Sequence, residues 1–228
     1  MSDFTVGLDI GQSQDPTALT VVEDVGGDPT RYHLRHVERF ELGTSYVEVA
    51  ERVADLMSRD ALTACETEKK RTGQYTVEQS RKEIPPTLVV DATGVGRPVV
   101  EMLRDEGLHP KSIWITGGDS VNRDGSEYRV PKRELASTVQ ALLQAERLKF
   151  AQNLPLRDVL IDELQKFRAK INLDTGEASF EHWRERDTDD VVLALACALW
   201  HAERVRRLPT LPKYPSSRQY TGWSRMLP

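Results

Sequence analysis

The sequence predicts one α/β domain built on a mixed sheet flanked by helices. Three observations carry that expectation. Three β-prone runs follow one another near the N-terminus with only short turns between them. A strand–helix–strand unit follows the Pro85-Pro86 pair. A long apolar helix, opened by a cluster of acids, closes the patterned part of the chain. Short turns between successive strands enforce antiparallel pairing, whereas a helix between two strands returns the chain to a parallel one. The expected sheet is therefore antiparallel over its first three strands and parallel after them.

Residues 4–10 are apolar and β-prone and read as a buried strand. Residues 17–24 make a second strand, after an Asp15-Pro16 turn. Residues 31–40 alternate with period two, the mark of a half-exposed third strand, and Gly26-Gly27-Asp28-Pro29 supplies the connection. The period then changes. Val47, Val49, Ala50, Val53, Leu56 and Met57 recur at helical spacing, with Thr44 or Ser45 as N-cap. From Asp60 to Glu83 the chain is polar and mixed in charge, which fits a loop or an exposed helical extension. A strand over 87–91, a Gly-rich turn over 92–96, a helix over 97–106 with Pro98 near its start, and a strand over 111–116 form the β-α-β unit. Residues 117–130 read as a polar loop. A helix follows from Lys132 to about Arg147, with Leu135, Val139, Leu142 and Leu143 on one face, and another over roughly Pro155–Phe167. Residues 168–181 suggest a hairpin turning at Asp174-Thr175-Gly176, and the last helix spans about Thr188–Arg206. The expected organisation is thus a domain over 1–206 and a basic, flexible tail over 207–228.

At 228 residues the chain suits a single core of ample size. A hydrophobic fraction of 39% and a charged fraction of 29% are those of an ordinary soluble protein. No apolar run reaches membrane-span length, and Met1-Ser2-Asp3 leads into a strand pattern rather than a signal peptide. Two cysteines, Cys65 and Cys197, do not make a disulfide scaffold, so a reducing cytoplasm is the expected compartment. The net charge of −5 excludes a strongly basic coat protein. It is unevenly spread: six Arg or Lys and no acid fall in 204–228, leaving −11 elsewhere.

Part of that acidic excess is arranged in a particular way. Asp9 closes the apolar run Thr5-Val6-Gly7-Leu8, Asp91 closes Leu88-Val89-Val90, and Asp187, Asp189 and Asp190 precede the apolar run that begins at Val191. A carboxylate at the end of a buried strand sits where the sheet meets solvent. Several converging there repel one another unless a cation lies among them. Such a set suits two Mg²⁺ or Mn²⁺ ions about 3.5–4 Å apart, serving phosphodiester hydrolysis with water as the nucleophile. Simpler accounts exist: Asp9 could cap a turn, Asp91 could cap the helix after it, and acids favour a helix N-terminus. Three acids in four residues exceed what capping needs. Asp187 and Asp190, three apart, would share a helical face, which favours Asp190 over Asp189 as the ligand. Of the five dispersed histidines only His182 could reach the site.

Four segments in this order resemble the nuclease domain of phage and herpesvirus large terminase subunits, within the ribonuclease H-like superfamily. They are Val6-Gly7-Leu8-Asp9-Ile10-Gly11, Val89-Val90-Asp91-Ala92-Thr93-Gly94-Val95-Gly96, Val130-Pro131-Lys132 with its helix, and Arg186 to Ala196. The resemblance spans roughly residues 4–206. It implies a ribonuclease H-like mixed sheet and two-metal endonucleolytic cutting of concatemeric double-stranded DNA during genome packaging. It also implies metal ligation by Asp9, Asp91 and the Asp189-Asp190 pair. Terminase large subunits also carry a packaging ATPase. No Gly-X4-Gly-Lys-[Ser/Thr] phosphate loop occurs here, so a motor activity is not expected of this polypeptide: either it is an excised domain or the nuclease is encoded separately, with a separate packaging ATPase, small terminase or portal protein as candidate partners. Lys132, Arg133, Arg129 and Lys170 are candidate DNA contacts, as is the tail with its mixture of cations and aromatics. Two other readings compete. A RuvC-like Holliday junction resolvase would share the carboxylates. In an actin-like nucleotide-binding fold, Asp-Ile-Gly and Asp-Ala-Thr-Gly loops would bind phosphates, but that fold is doubled and this chain shows no second copy.

Overall fold

The computed structural model describes residues 3–12, 15–71, 77–94, 97–173 and 189–207. The first three strands are β1 (Asp3–Asp9), β2 (Ala18–Gly26) and β3 (Arg31–Arg39), followed by α1 (Tyr46–Met57). A 3-10 turn over Asp60–Leu62 leads into β4 (Ala64–Arg71) and β5 (Val77–Ile84). The β-α-β unit is β6 (Thr87–Asp91), α2 (Arg97–Asp105) and β7 (Lys111–Thr116). Then come β8 (Asn122–Asp124), β9 (Glu127–Pro131), α3 (Lys132–Gln144), β10 (Leu148–Phe150), α4 (Arg157–Leu173) and α5 (Asp190–Arg207).

Eight of these strands form one sheet in the order β10-β3-β2-β1-β6-β7-β9-β8. β1, β2 and β3 pair antiparallel, as their short connections require. The β1–β6, β6–β7 and β7–β9 pairs are parallel. This is the mixed sheet the sequence predicts, with its first parallel step at β1–β6 in the middle.

Alternation divides the strands between two cores. Val6, Leu8, Leu19, Val21, Leu88 and Val90 face α1 and α2, meeting Val49, Val53, Val99 and Leu103. Ala18, Val37, Val89, Ile113 and Val130 face the opposite way, toward α3, α4 and α5. α5 lies in the middle of that second layer, against β1, β2 and β6 beneath and α3 and α4 beside it. Every residue from Val191 to Trp200 is buried, so its apolar character all round has a cause in its covering. Each fully buried Val or Leu there contributes about 1.5–3 kcal/mol.

Gly7 sets how closely that helix approaches. A Cβ on Gly7 would stand 2.0 Å from the Ala194 carbonyl oxygen and 3.0 Å from the Ala198 Cβ. Only glycine lets β1 and the helix backbone meet this closely. The far end of α5 is tied to the sheet by Glu203, which accepts from Tyr32 Oη at 2.7 Å and from Arg147 Nη2 at 2.6 Å. At α1 the cap is Ser45, in a reciprocal capping box with Glu48.

Four expectations are corrected. The described residues of 60–83 are neither a loop nor a helical extension, because β4 and β5 pair antiparallel there as a separate two-stranded sheet. The expected loop over 117–130 contains β8 and β9, and β9 extends the parallel part of the sheet. The helix expected to reach Arg147 stops at Gln144, Glu146 adopts a positive φ of 53°, and β10 then pairs with β3. The hairpin expected from 168 is replaced as far as Leu173 by α4, since Lys, Arg and Ala there favour helix and no Gly or Pro intervenes. The rest of that hairpin, and the tail beyond Arg207, lie outside the described residues.

Candidate functional site

Asp9 ends β1 and Asp91 ends β6, and the two are register partners in the parallel pair. Asp9 is also opposite Ala18 on β2, and Ala18 is opposite Arg39 on β3. One row across the sheet therefore reads Arg39, Ala18, Asp9, Asp91. Period-two alternation puts Asp9 and Asp91 on the face of Gly7 and Val89, under α5. Adjacent strands lie about 4.8 Å apart, so the two carboxyl groups have no choice but to be neighbours. Asp91 is buried and Asp9 half-buried. The loop beyond β6 is fixed by Asp91 Oδ1, which accepts from the Thr93 N–H at 2.8 Å, and by Thr93 Oγ1, which accepts from the Ile115 N–H at 2.7 Å.

The start of α5 lies above this row, because Gly7 seats Ala194 one turn further along. Asp189 is the cap: its carbonyl accepts from the Leu193 N–H at 2.8 Å. Lys132, the first residue of α3, donates through Nζ to Asp189 Oδ2 at 3.2 Å. Asp190 is held differently. Arg39 Nε donates to its Oδ2 at 2.8 Å and Arg39 Nη2 to its Oδ1 at 2.9 Å. Arg39 Nη2 also donates to Glu163 Oε1 on α4 at 2.5 Å, and Glu163 Oε2 accepts from the Val192 N–H at 3.0 Å.

The electrostatics follow from this crowding. Burial, then the charges of Asp91, Asp189 and Asp190, push the Asp9 carboxyl well above the usual range, with Lys132 opposing them. Burial also raises Asp190, against the pull of Arg39. Glu163 rises to about 7, through burial first and the Asp190 charge second. Burial lowers Lys132, although Asp189, Asp9 and Asp91 all favour its charged form. The cluster thus holds more negative charge than it can comfortably ionise, which is the condition that favours a bound cation. Among the described residues, no three acid, histidine or cysteine side chains stand close enough to enclose an ion as placed. Lys132 and Arg39 supply the positive charge among them instead. The donor set of Asp9, Asp91 and Asp189 consists of hard carboxylate oxygens, which fits Mg²⁺ or Mn²⁺.

The structure brings together Asp9, Asp91, Asp189, Asp190 and Lys132. Asp187 and His182 lie outside the described residues. The helical face shared by Asp187 and Asp190, on which Asp190 is preferred, therefore lies partly outside the described residues. Arg133 turns outward, with Nη1 2.7 Å from Asp119 Oδ1, and Arg129 is exposed on β9. Lys170 is on α4, and its side chain lies outside what is described. Cys197 is buried in α5 as core filler. Two members of the site escape sequence reasoning. Arg39 looks like any exposed residue of a half-exposed strand. Glu163 leaves a fainter signal, as an acid between Leu160 and Phe167 on the buried side of α4.

A family profile described as the terminase RNaseH-like domain matches residues 6–202. The chain belongs to the terminase RNaseH-like domain family. Its fold is ribonuclease H-like. The large terminase nuclease from thermophilic phage G20c is similar in fold, at 17% identity and a TM-score of 0.53, over 86% of this chain and 81% of that one. The human cytomegalovirus terminase nuclease domain, Mn-soaked and inhibitor-bound, is similar at 12% identity and a TM-score of 0.51, over 89% of this chain and 84% of that one. No curated protein matches the chain. Among the described residues of this terminase RNaseH-like domain, no helix is long and apolar enough to cross a membrane.

Proposed function

We propose that this chain is a metal-dependent DNA endonuclease that cuts concatemeric viral DNA during genome packaging in the host cytoplasm. One observation carries the reading: Asp9 and Asp91 are register partners beneath the start of α5, where Asp189 faces them and Lys132 lies among them. We assign Asp9, Asp91 and Asp189 as the metal ligands and give Asp190 a structural role, since Arg39 takes both of its oxygens. Those three carboxylates would hold the two Mg²⁺ or Mn²⁺ ions, which would supply Lewis-acid activation of water and charge neutralisation at the leaving 3′ oxygen.

The chain's own residues account for the rest. The strand register fixes Asp9 and Asp91 side by side without any induced movement. Lys132 neutralises part of the cluster, and the exposed Arg133 beside it at the start of α3 presents positive charge to a phosphate backbone. Arg133 is free to trade partners, because an exposed ion pair such as that with Asp119 is worth only about 0–1 kcal/mol. A packaging ATPase, in the same polypeptide or in a separate one, and a small terminase or portal protein would act with it.

The experiment is supercoiled-plasmid and four-way-junction cleavage with Mn²⁺, Mg²⁺, Ca²⁺ or EDTA. Mn²⁺ and Mg²⁺ should support nicking and linearisation of the plasmid, and EDTA should stop it. Asp91→Asn should abolish cutting while its circular dichroism stays that of the parent. An Asp91→Asn protein that cuts as fast as the parent would sink the assignment.

A further inference from the structure

We propose that Arg39 is a positioning residue that divides the work of two adjacent acids: it holds the Asp190 carboxylate out of the acidic cluster as an anchor of α5, and so leaves Asp189 as the third carboxylate facing Asp9 and Asp91. The inference deepens the nuclease reading and rests on it in taking a divalent ion as the bound group.

In the row across the sheet, Arg39 stands two strands from Asp9, with only Ala18 between them. Two strand spacings are roughly 10 Å, and the small Ala18 leaves the guanidinium room to rise toward the start of α5 without touching Asp9. There it meets Asp190 as a fork, one nitrogen to each oxygen, at 2.8 and 2.9 Å. A planar fork fixes both the position and the rotation of a carboxylate. The same guanidinium holds Glu163, whose other oxygen accepts from the Val192 N–H. Strand β3, helix α4 and the first turn of α5 are thereby tied at one point. The carboxylates at that point are buried, Glu163 and Asp190 being 2% and 5% exposed, while Arg39 reaches them from a side chain 23% exposed.

Asp189 is tied far more loosely. Its ion pair with Lys132 is a single contact at 3.2 Å, between side chains 16% and 24% exposed. An ammonium is a point charge that a divalent ion can replace, whereas freeing Asp190 means breaking a two-pronged buried contact. The two cations also lie on opposite sides of Asp9 and Asp91. Arg39 comes from β3, and Lys132 follows β9 at the other flank. Consecutive residues are thus drawn apart, and the one drawn toward Lys132 weighs more heavily on Asp9 than the other.

The test is Mn²⁺ binding by calorimetry on the full chain, with the melting temperature taken without metal and plasmid nicking as a separate readout. Asp189→Asn should weaken Mn²⁺ binding at least about tenfold, whereas Asp190→Asn should change it by less than about threefold. In an Arg39→Gln background the loss caused by Asp189→Asn should shrink to less than about threefold, because the released Asp190 carboxylate can take its place. Mn²⁺ loss in Asp190→Asn equal to that in Asp189→Asn, or a loss from Asp189→Asn that is unchanged when Arg39 is Gln, overturns the proposal, as does a parent that binds no Mn²⁺. If Arg39→Gln alone does not fold, the comparison of Asp189→Asn with Asp190→Asn decides the matter. A parent that binds Mn²⁺ through Asp189 but cuts no DNA overturns the nuclease reading and leaves the division between the acids standing.

Discussion

Asp189 and Asp190 are consecutive in the chain yet answer to cations on opposite flanks of the sheet, Lys132 for the first and Arg39 for the second. The divergence has a local cause. Asp189 is the cap, with only its carbonyl in the helix, while Asp190 is already the first residue of α5. Cap and first-turn side chains leave the axis in different directions, so two adjacent acids can serve two purposes. One is held in a buried ion network and the other stays beside the strand-end pair.

Lys132 is expected to act as the resident counter-ion of the cluster when metal is absent. Replacing it by Gln leaves Asp9, Asp91 and Asp189 with less compensation. Lys132→Gln should therefore lower metal-free stability by about 1.5–3 kcal/mol, the range for a charged hydrogen bond lost from a poorly solvated site. Mn²⁺ should recover much of that loss. Urea denaturation with EDTA and with Mn²⁺ checks this, and equal deficits under both conditions would contradict it.

Metal binding should also appear as stability. A ligand that binds only the folded state at a hundred times its Kd adds about 2.7 kcal/mol. For a chain of this size that raises Tm by roughly 5–10 °C. The rise should occur with Mn²⁺, reverse with EDTA and shrink in Asp9→Asn. Asp9→Asn should also melt higher than the parent when metal is absent, because its carboxyl is crowded by Asp91 and Asp189 and buried as well. Scanning calorimetry of both proteins decides it.

Gly7 links packing to the site more tightly than any charged residue does. A methyl group there meets the Ala194 carbonyl at 2.0 Å, and neither backbone can yield without moving α5. Gly7→Ala should cost about 1–3 kcal/mol, as overpacking does, and should shift Asp189 from Asp9 and Asp91. Cleavage should fall more than stability alone explains. An Ala variant that melts lower but cuts at the parent rate below its transition would show that the seat of α5 is not what places Asp189.

How far the sequence reveals this molecule depends on burial. β1, β2, β6 and α5 are covered, so their apolar runs announce them, and the acids that close those runs are conspicuous. β4 and β5 form a two-stranded sheet of their own, and 60–83 shows no apolar alternation to mark it. β8 and β10 have three residues each, too few for a period. At the site, strand-end position identifies Asp9 and Asp91, but Arg39 finds its partners 124 and 151 residues away. No local pattern encodes such a contact. The preference for Asp190 rests on a helical face shared with Asp187, which lies outside the described residues.

His201 provides a test of the fold remote from the acids. Its ring lies on α5 in edge contact with Tyr128, at 5.8 Å between centroids, and is 6% exposed. Burial first, then the charges of Lys111 and Arg123, lower it from 6.5 to about 4. The folded protein therefore keeps the ring neutral where the unfolded chain takes a proton. Its contribution is fully present above pH 6.5 and is lost as pH falls from 6.5 toward 4. The lowering corresponds to a ceiling of about 3 kcal/mol, reached only near pH 4. His201→Phe should keep the packing against Tyr128 and flatten the decline in stability between pH 6.5 and 4. Urea midpoints at pH 7, 6 and 5 for parent and variant measure it. Parallel curves over that window would mean that the ring titrates alike in both states and that α5 is looser there than its burial indicates.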